Sequence, residues 1–141
     1  MLRWAKTIFV CTALLCPEMA AAEQWLALTV APDGAWGAGA AGSVHTATTN
    51  AIAQCKGRSS RPPDVLSGCG ALLRVARNGW GIAEICGRHW HVSVERTLLD
   101  AEFDLRAWKL SMKYEYGVTV PECRRVVTVG PDANVYAFTQ Y

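Results

Sequence analysis

The sequence predicts an α+β domain of tandem hairpin-helix units, ββαββαββ, with antiparallel sheet and stabilising disulfides. Three observations carry this expectation. Turn chemistry recurs between apolar runs at Pro32-Asp33-Gly34, Asn78-Gly79 and Gly130-Pro131-Asp132. Two stretches at helical spacing separate those hairpins. An even set of cysteines remains once the leader is set aside.

Residues 1–22 read as a signal peptide. Arg3 and Lys6 form a basic start, TIFVCTALLC is an apolar run, Pro17 breaks it, and Ala20-Ala21-Ala22 offers a small-residue cleavage site. The run falls well short of the roughly 20 residues a membrane-spanning helix needs. Leu15 and Val10 stand before Cys16 and Cys11, where a lipid-anchoring site needs a small residue. Residues 23–141 are thus expected as a single exported domain without a membrane span. Its expected place is the bacterial periplasm or outside the cell.

The elements follow in order. In WLALTV, Leu26, Leu28 and Val30 alternate onto one face, and after the Pro32-Asp33-Gly34 turn a second strand runs through the small residues of WGAGAAG. Ser43 is the expected N-cap of a first helix, with Val44, Ala47, Ala51, Ile52 and Cys55 along one side. KGRSSRPPDVLSG is the main loop. GALLRVARNGWGIAEIC reads as a second hairpin, because Asn and Gly both tolerate the positive φ of a type I′ turn. Ser93 is expected to cap a second helix with Val94, Leu98, Ala101, Leu105, Trp108 and Met112 buried, Glu102 paired with Arg106, and Gly117 as its stop. RRVVTVGPDANVYAFTQY closes the domain as a third hairpin.

Composition narrows the function classes. A chain of 141 residues that is 51% hydrophobic and 18% charged has the makeup of one packed domain, not of a multidomain enzyme. Its formal net charge of +2, on scattered residues, is too weak for phosphate-backbone binding, so no nucleic acid is expected as a partner.

Cys55, Cys69, Cys86 and Cys123 would meet an oxidising compartment, where structural bridges are the expectation and three pairings are open. A zinc knuckle lacks its two-to-four-residue cysteine spacing. A thiol nucleophile beside His89 in CGRHWH is the other alternative.

The tryptophan-led first strand, PDG-x-W-G, a helix of spaced alanines ending in cysteine, a second cysteine before the next strand and a later W-G resemble the bacterial domain-of-unknown-function 4189 family (DUF 4189). The resemblance covers Trp25 to about Cys86. Beyond it, VERTLLDAEFDLRAWKLSMKYEYG is longer than the family's second helix and has no cysteine. The resemblance implies a small exported module and brings no catalytic residues. Its motif implies Cys55 with Cys69, stapling the proline-rich loop, and Cys86 with Cys123, joining neighbouring strands.

Candidate sites are few. Gly37 to Gly42, GAGAAG, lacks the Lys-Ser/Thr of a phosphate loop and reads as a strand built for close packing. Asp100 and Asp104 lie four apart on the second helix, a spacing open to acid/base work, but an exposed face accounts for them. His89 and His91 would share one face if extended, as weak metal candidates whose third ligand would come from His45, Glu84 or Glu95; the plainer reading is a polar loop. Trp80, Trp90 and Tyr136 are the binding candidates, because exposed aromatics are favoured in recognition. Trp36 is expected buried, and Trp80 more exposed, at a hairpin tip.

The function these readings predict is an exported binding or interaction module of the bacterial envelope, not itself catalytic and needing no cofactor. Its expected partner is an envelope or extracellular protein, or a glycan such as peptidoglycan. The alternatives are an inhibitor or immunity protein against a secreted toxin or cell-wall hydrolase, and a hydrolase or metal-binding protein using His89 and His91. Mature protein should begin at or near Glu23, and a mass spectrum showing retained Met1 or lipidated Cys16 would refute the leader assignment.

Overall fold

The computed structural model describes residues 23–62 and 68–138. Residues 1–22, the expected signal peptide, lie outside them, as does the middle of the main loop. The chain runs β1 (Trp25–Val30), β2 (Trp36–Ala41), α1 (Val44–Arg58), β3 (Leu72–Arg77), β4 (Trp80–Cys86), β5 (His89–Glu95), α2 (Leu98–Tyr114), β6 (Arg124–Val129) and β7 (Val135–Phe138). The α+β class, antiparallel pairing and two disulfides are as expected. The order ββαβββαββ has one strand more than the sequence predicts, and the strands divide into two sheets.

Sheet order is β2-β1-β3 in one sheet and β5-β4-β6-β7 in the other, all pairs antiparallel. Each sheet repeats one plan: a hairpin, a helix, and a return strand pairing with the hairpin's first strand on its free side. Leu26, Leu28, Val30 and Trp36 of the first sheet pack against Ala83, Val92, Val94, Val127 and Val129 of the second. Helix α1 covers the outer face of the first sheet through Ala47 and Ala51 on Ala27, and α2 covers the second through Ala101 and Leu105 on Ile82. The result is four layers, helix, sheet, sheet, helix.

Asn78-Gly79 does not close a hairpin. β3 pairs with β1 and β4 with β5 and β6, so the dipeptide carries the chain from one sheet to the other. Asn78 does hold a positive φ of 49°, but its side chain accepts from the Gln24 backbone N–H and its own N–H donates to the Gln24 carbonyl. Glycine at 79 serves proximity, because a Cβ there would lie 3.0 Å from both Ala76 and Val94 side-chain atoms. The local turn signal yields to the pairing of the two strands in different sheets. The second hairpin is β4–β5, turning at Gly87 and Arg88, with Gly87 at φ 63° where a type II′ turn wants its glycine.

β5 also displaces the second helix. Ser93 and Val94 are buried strand residues opposite Ile82 and Gly81, and the N-cap is Thr97, whose side chain accepts from the Asp100 N–H. Three apolar positions at period two, Trp90, Val92 and Val94, face the intersheet core, and that alternation governs the segment. At the far end Gly117, at φ 66°, stops the helix and the Val118 N–H reaches back to the Met112 carbonyl. Ser43 caps α1 as expected, but Val44 is exposed rather than part of the buried side.

α1 approaches β2 at backbone contact. A Cβ at Gly37 would sit 1.9 Å from the Ala51 carbonyl oxygen, and one at Gly39 would sit 2.3 Å from that of Ala47. Helix side chains also serve the outer edge of β2, where Gln54 Oε1 accepts from the Ala38 N–H and Arg58 donates to the Trp36 carbonyl. The bridges are Cys55–Cys69 and Cys86–Cys123, with Cα separations of 5.8 and 4.1 Å. Gly37→Ala should therefore cost at least about 2–3 kcal/mol in urea unfolding, as overpacking against immovable backbone does. Gly42→Ala, which meets nothing within 4 Å, should change stability by less than about 0.5 kcal/mol.

Candidate functional site

The predicted site residues fall in three places. His91 belongs to a charged layer between the second sheet and α2. Glu84, on the central strand β4 and buried, lies 2.7 Å from Lys109 Nζ and 3.1 Å from Arg125 Nη2. Arg125 also clasps both oxygens of Glu102, at 2.6 and 2.8 Å. Glu102 thus takes Arg125 from a neighbouring strand instead of a hydrogen bond from Arg106 four residues along its own helix. His91 Nε2 lies 3.1 Å from Asp104 Oδ2, and its ring stacks on Trp108 at 4.7 Å between centroids. Asp100 instead serves the helix start, accepting from the Thr97 hydroxyl.

This layer holds α2 to its sheet. The hydrogen bonds from Arg125 pull the Glu102 carboxyl below the usual carboxylate range against the opposing effect of burial, and the Arg125 guanidinium rises through the same bond. His89 and His91 lie on one strand, at positions 89 and 91, not in the loop the sequence predicts. Among the described residues, the group of three close ligand atoms is Glu84, Cys86 and Cys123, and both sulfurs are committed to one disulfide. No third ligand joins His89 and His91 there.

Trp80 and Tyr136 form the second place. Their rings meet at 4.8 Å between centroids, tilted by 47°, with Trp80 half-buried and Tyr136 60% exposed. The ring of Tyr136 lies over Gly130, where a Cβ would be 2.5 Å away. This pair packs β7 against the start of β4, across β6.

Trp90 lies in the third place, a cleft of about 410 Å³ at the end of the sandwich. Its walls come from the β1–β2 turn (Pro32, Asp33), Trp36, the end of α1 (Arg58), Ile85, Trp90 and Arg124 at the start of β6. The turn is rigid: Asp33 Oδ1 accepts from the Ala35 N–H, while Oδ2 takes the Ser59 hydroxyl at 2.5 Å and the Ser60 N–H at 3.1 Å. Burial raises the Asp33 pKa, but these hydrogen bonds outweigh it and hold the carboxyl low, so Asp33 is an engaged carboxylate at neutral pH. The Arg58 guanidinium lies 3.8 Å from the centre of the Trp36 ring. Trp36 is buried to 8% exposure, as expected, whereas Trp90 is half-buried and its Nε1–H is enclosed without an acceptor among the described residues. Sequence reasoning missed Arg58 and Arg124, whose elements meet only in the folded chain.

A further surface was also missed. Leu99, Phe103, Leu110 and Tyr114 stand 55–77% exposed along the outward side of α2. Their spacing is visible in the sequence as a second apolar stripe, opposite the one that packs.

A scan of protein-family models, a search of curated proteins and a search of solved structures each return no match. No helix among the described residues is long and apolar enough to cross a membrane.

The buried layer gives a direct test. Glu84→Ala should cost about 3–5 kcal/mol, because it leaves cations in a covered layer without their central anion. The lowered pKa of Glu102 makes its contribution complete above the ordinary carboxylate value and lost as pH falls through the lower folded value. Wild-type stability should thus decline below about pH 4.5, near the ordinary value for Glu, and Glu102→Gln should flatten that decline in urea titrations at stepped pH.

Proposed function

We propose that the protein is a small exported binding module of the bacterial envelope, not itself catalytic, which takes an anionic glycan in its end cleft. Peptidoglycan fragments, whose stem peptides carry carboxylates, are the ligand class to test first. One observation carries the reading: the cleft combines two indoles, Trp36 and Trp90, with two guanidiniums, Arg58 and Arg124. Its volume lies within the roughly 300–1,000 Å³ of ordinary ligand sites. Arginine presents a planar fork that matches carboxylates bidentately, while indole faces supply apolar area at low entropic cost. Among the described residues the one carboxylate in the wall, Asp33, is occupied by Ser59 and Ser60, so their charge balance favours an anion.

Disulfides and the signal-peptide pattern support export, and the resemblance to the domain-of-unknown-function 4189 family belongs to the same proposal. The hydrolase and metal readings of His89 and His91 are weaker. His91 is spent on Asp104 and Trp108 in a layer that holds a helix, and a hydrolase needs a nucleophile or activated water near its base.

Titration of the mature oxidised protein with soluble muropeptides should change its tryptophan fluorescence. Arg124→Ala, at an exposed position, should weaken binding at least tenfold while the far-UV spectrum stays that of wild type. Uncharged chitin oligosaccharides should bind at least tenfold more weakly than muropeptides. Equal binding of wild type and Arg124→Ala, or no binding of muropeptides, would overturn the proposal.

A further inference from the structure

The outward side of α2 gathers large hydrophobic side chains that neither the core nor the cleft uses. Leu99 is 77% exposed, Phe103 72%, Leu110 55% and Tyr114 74%. At about 100° per residue the four fall within a band about 60° wide and about 22 Å long, opposite the buried Ala101 and Leu105. Taking a full aromatic side chain at roughly 150–250 Å², the band offers about 500 Å². That lies within the range of the largest patch on a monomer, roughly 300–600 Å², which is often a site of interaction.

Shape, area and charge each bear on what covers the band. It crowns an outermost helix, so it is a ridge: a protein partner would need a groove of matching shape, whereas lipid chains close around any convex apolar surface. Its area is below the roughly 800 Å² per partner of a standard protein interface. Interfacial helices, by contrast, hold to bilayers through such apolar area together with attraction to anionic headgroups. The charges supply that second part. Arg106 and Lys113 lie about 20° and 40° beyond Leu99, along one margin of the band, and both are exposed. Neither makes an ion pair among the described residues. The acids of the helix are committed elsewhere, Asp100 to the Thr97 hydroxyl at the cap, Glu102 to Arg125 and Asp104 to His91. Beneath the helix Lys109 and Arg125 balance Glu84 and Glu102, so the cations left over are the two beside the apolar residues. Past Asp100 the other margin holds the uncharged Ala107 and Ser111.

We propose that α2 docks flat on a bilayer containing anionic phospholipid, with Leu99, Phe103, Leu110 and Tyr114 entering the acyl boundary and Arg106 and Lys113 on the headgroup phosphates. Long alkyl stems let both cations stay at headgroup level while their apolar neighbours insert. Tyr114, whose ring lies 5.3 Å from Lys113 Nζ, has an apolar body and a polar tip suited to the same boundary. The ion pairs of Glu84 and Glu102 already hold α2 on its sheet, so no folding of the helix opposes docking. Attachment is peripheral and reversible, because one side of one helix buries far less than a membrane-spanning segment. Each basic residue beside an anionic surface contributes roughly a factor of five in affinity. The inference stands on α2 alone and does not rest on the cleft reading.

The test is co-sedimentation of the mature, oxidised protein with large vesicles of phosphatidylcholine, alone or with about 30 mol% phosphatidylglycerol to set a negative surface potential. Wild type should bind the anionic vesicles at least tenfold more tightly than the neutral ones. Sodium chloride at about 0.5 M, where the Debye length has shrunk to a few ångströms, should remove most of that difference. Arg106→Gln combined with Lys113→Gln should remove it too, while leaving binding to neutral vesicles as in wild type. Phe103→Asp should weaken binding to both compositions at least tenfold, with the far-UV spectrum and melting of the free protein unchanged, because the residue is exposed. Orientation is read by an environment-sensitive fluorophore. On Leu99→Cys its emission should shift to the blue with anionic vesicles, whereas on Thr49→Cys, exposed on α1 at the other side of the molecule, it should not. No binding to anionic vesicles, equal binding to both compositions, binding indifferent to Phe103→Asp, a shift at Thr49→Cys in place of Leu99→Cys, or stripe-dependent self-association without vesicle binding would each overturn the proposal.

Discussion

The contact on which most of the first half depends is the meeting of α1 and β2 at backbone distance. Gly37 and Gly39 have no Cβ, and the carbonyls of Ala51 and Ala47 occupy the space one would fill. Because the helix comes so near, Gln54 and Arg58 can reach the outer edge of β2 and satisfy groups that an exposed edge strand would leave open. The same approach brings Cys55 against Ala35 and Cys69, and it sets Ser59 and Ser60 on Asp33. The turn, the helix end and the bridge are therefore one rigid unit. That unit forms one wall of the cleft, so Arg58 owes its place over Trp36 to two glycines on the opposite side of β2 from the core.

The second half of the chain repeats the plan with different physics. Its central strand carries Glu84 where glycine would permit close approach, and α2 meets the sheet through paired charges around a small apolar contact of Ile82, Ala101 and Leu105. Long charged side chains hold a helix farther off than alanine on glycine does. Breaking such a layer is costly because each ion depends on its partners, although the intact layer adds little compared with apolar packing of the same volume. α2 is thus fixed in register by specific pairs, with Arg125 joining β6 to both β4 and the helix.

How far the sequence could be read follows from where the information lies. The turns at Ala31 to Ala35 and Gly130 to Asn134 were legible because their signal is local: each has Pro-Asp followed by a left-handed residue, Gly34 at φ 85° and Ala133 at φ 62°. Helix α1 was legible for the same reason, with Ser43 and spaced alanines. Asn78-Gly79 misled, because its turn preference survives at Asn78 while its strands are claimed by different sheets. The start of α2 misled because Ser93 and Thr97 both fit a cap, and only pairing with β4 removes the first from contention. Disulfide pairing came from a family resemblance, since spacing alone left three possibilities. Cleft residues Arg58 and Arg124 were illegible, coming from segments 66 positions apart that touch one surface only after both sheets stack.

The stripe on α2 differs from these, because it was written in the sequence and overlooked. VERTLLDAEFDLRAWKLSMKYEYG contains apolar residues at two helical phases, and the phase carrying Ala101, Leu105, Trp108 and Met112 was sufficient to explain a packed helix. The second phase has the larger residues, Leu99, Phe103, Leu110 and Tyr114, and it faces away from the sheet. A helix that merely covered a sheet would have its bulk inward and polar groups outward. Here the inward side is held by Glu84, Lys109, Arg125 and Glu102, leaving much of the aliphatic and aromatic bulk on the other side. The charges beneath α2 and the hydrophobic residues above it are two parts of one arrangement: ion pairs set the helix in a fixed register on the sheet, and that register leaves its outer apolar residues in solvent.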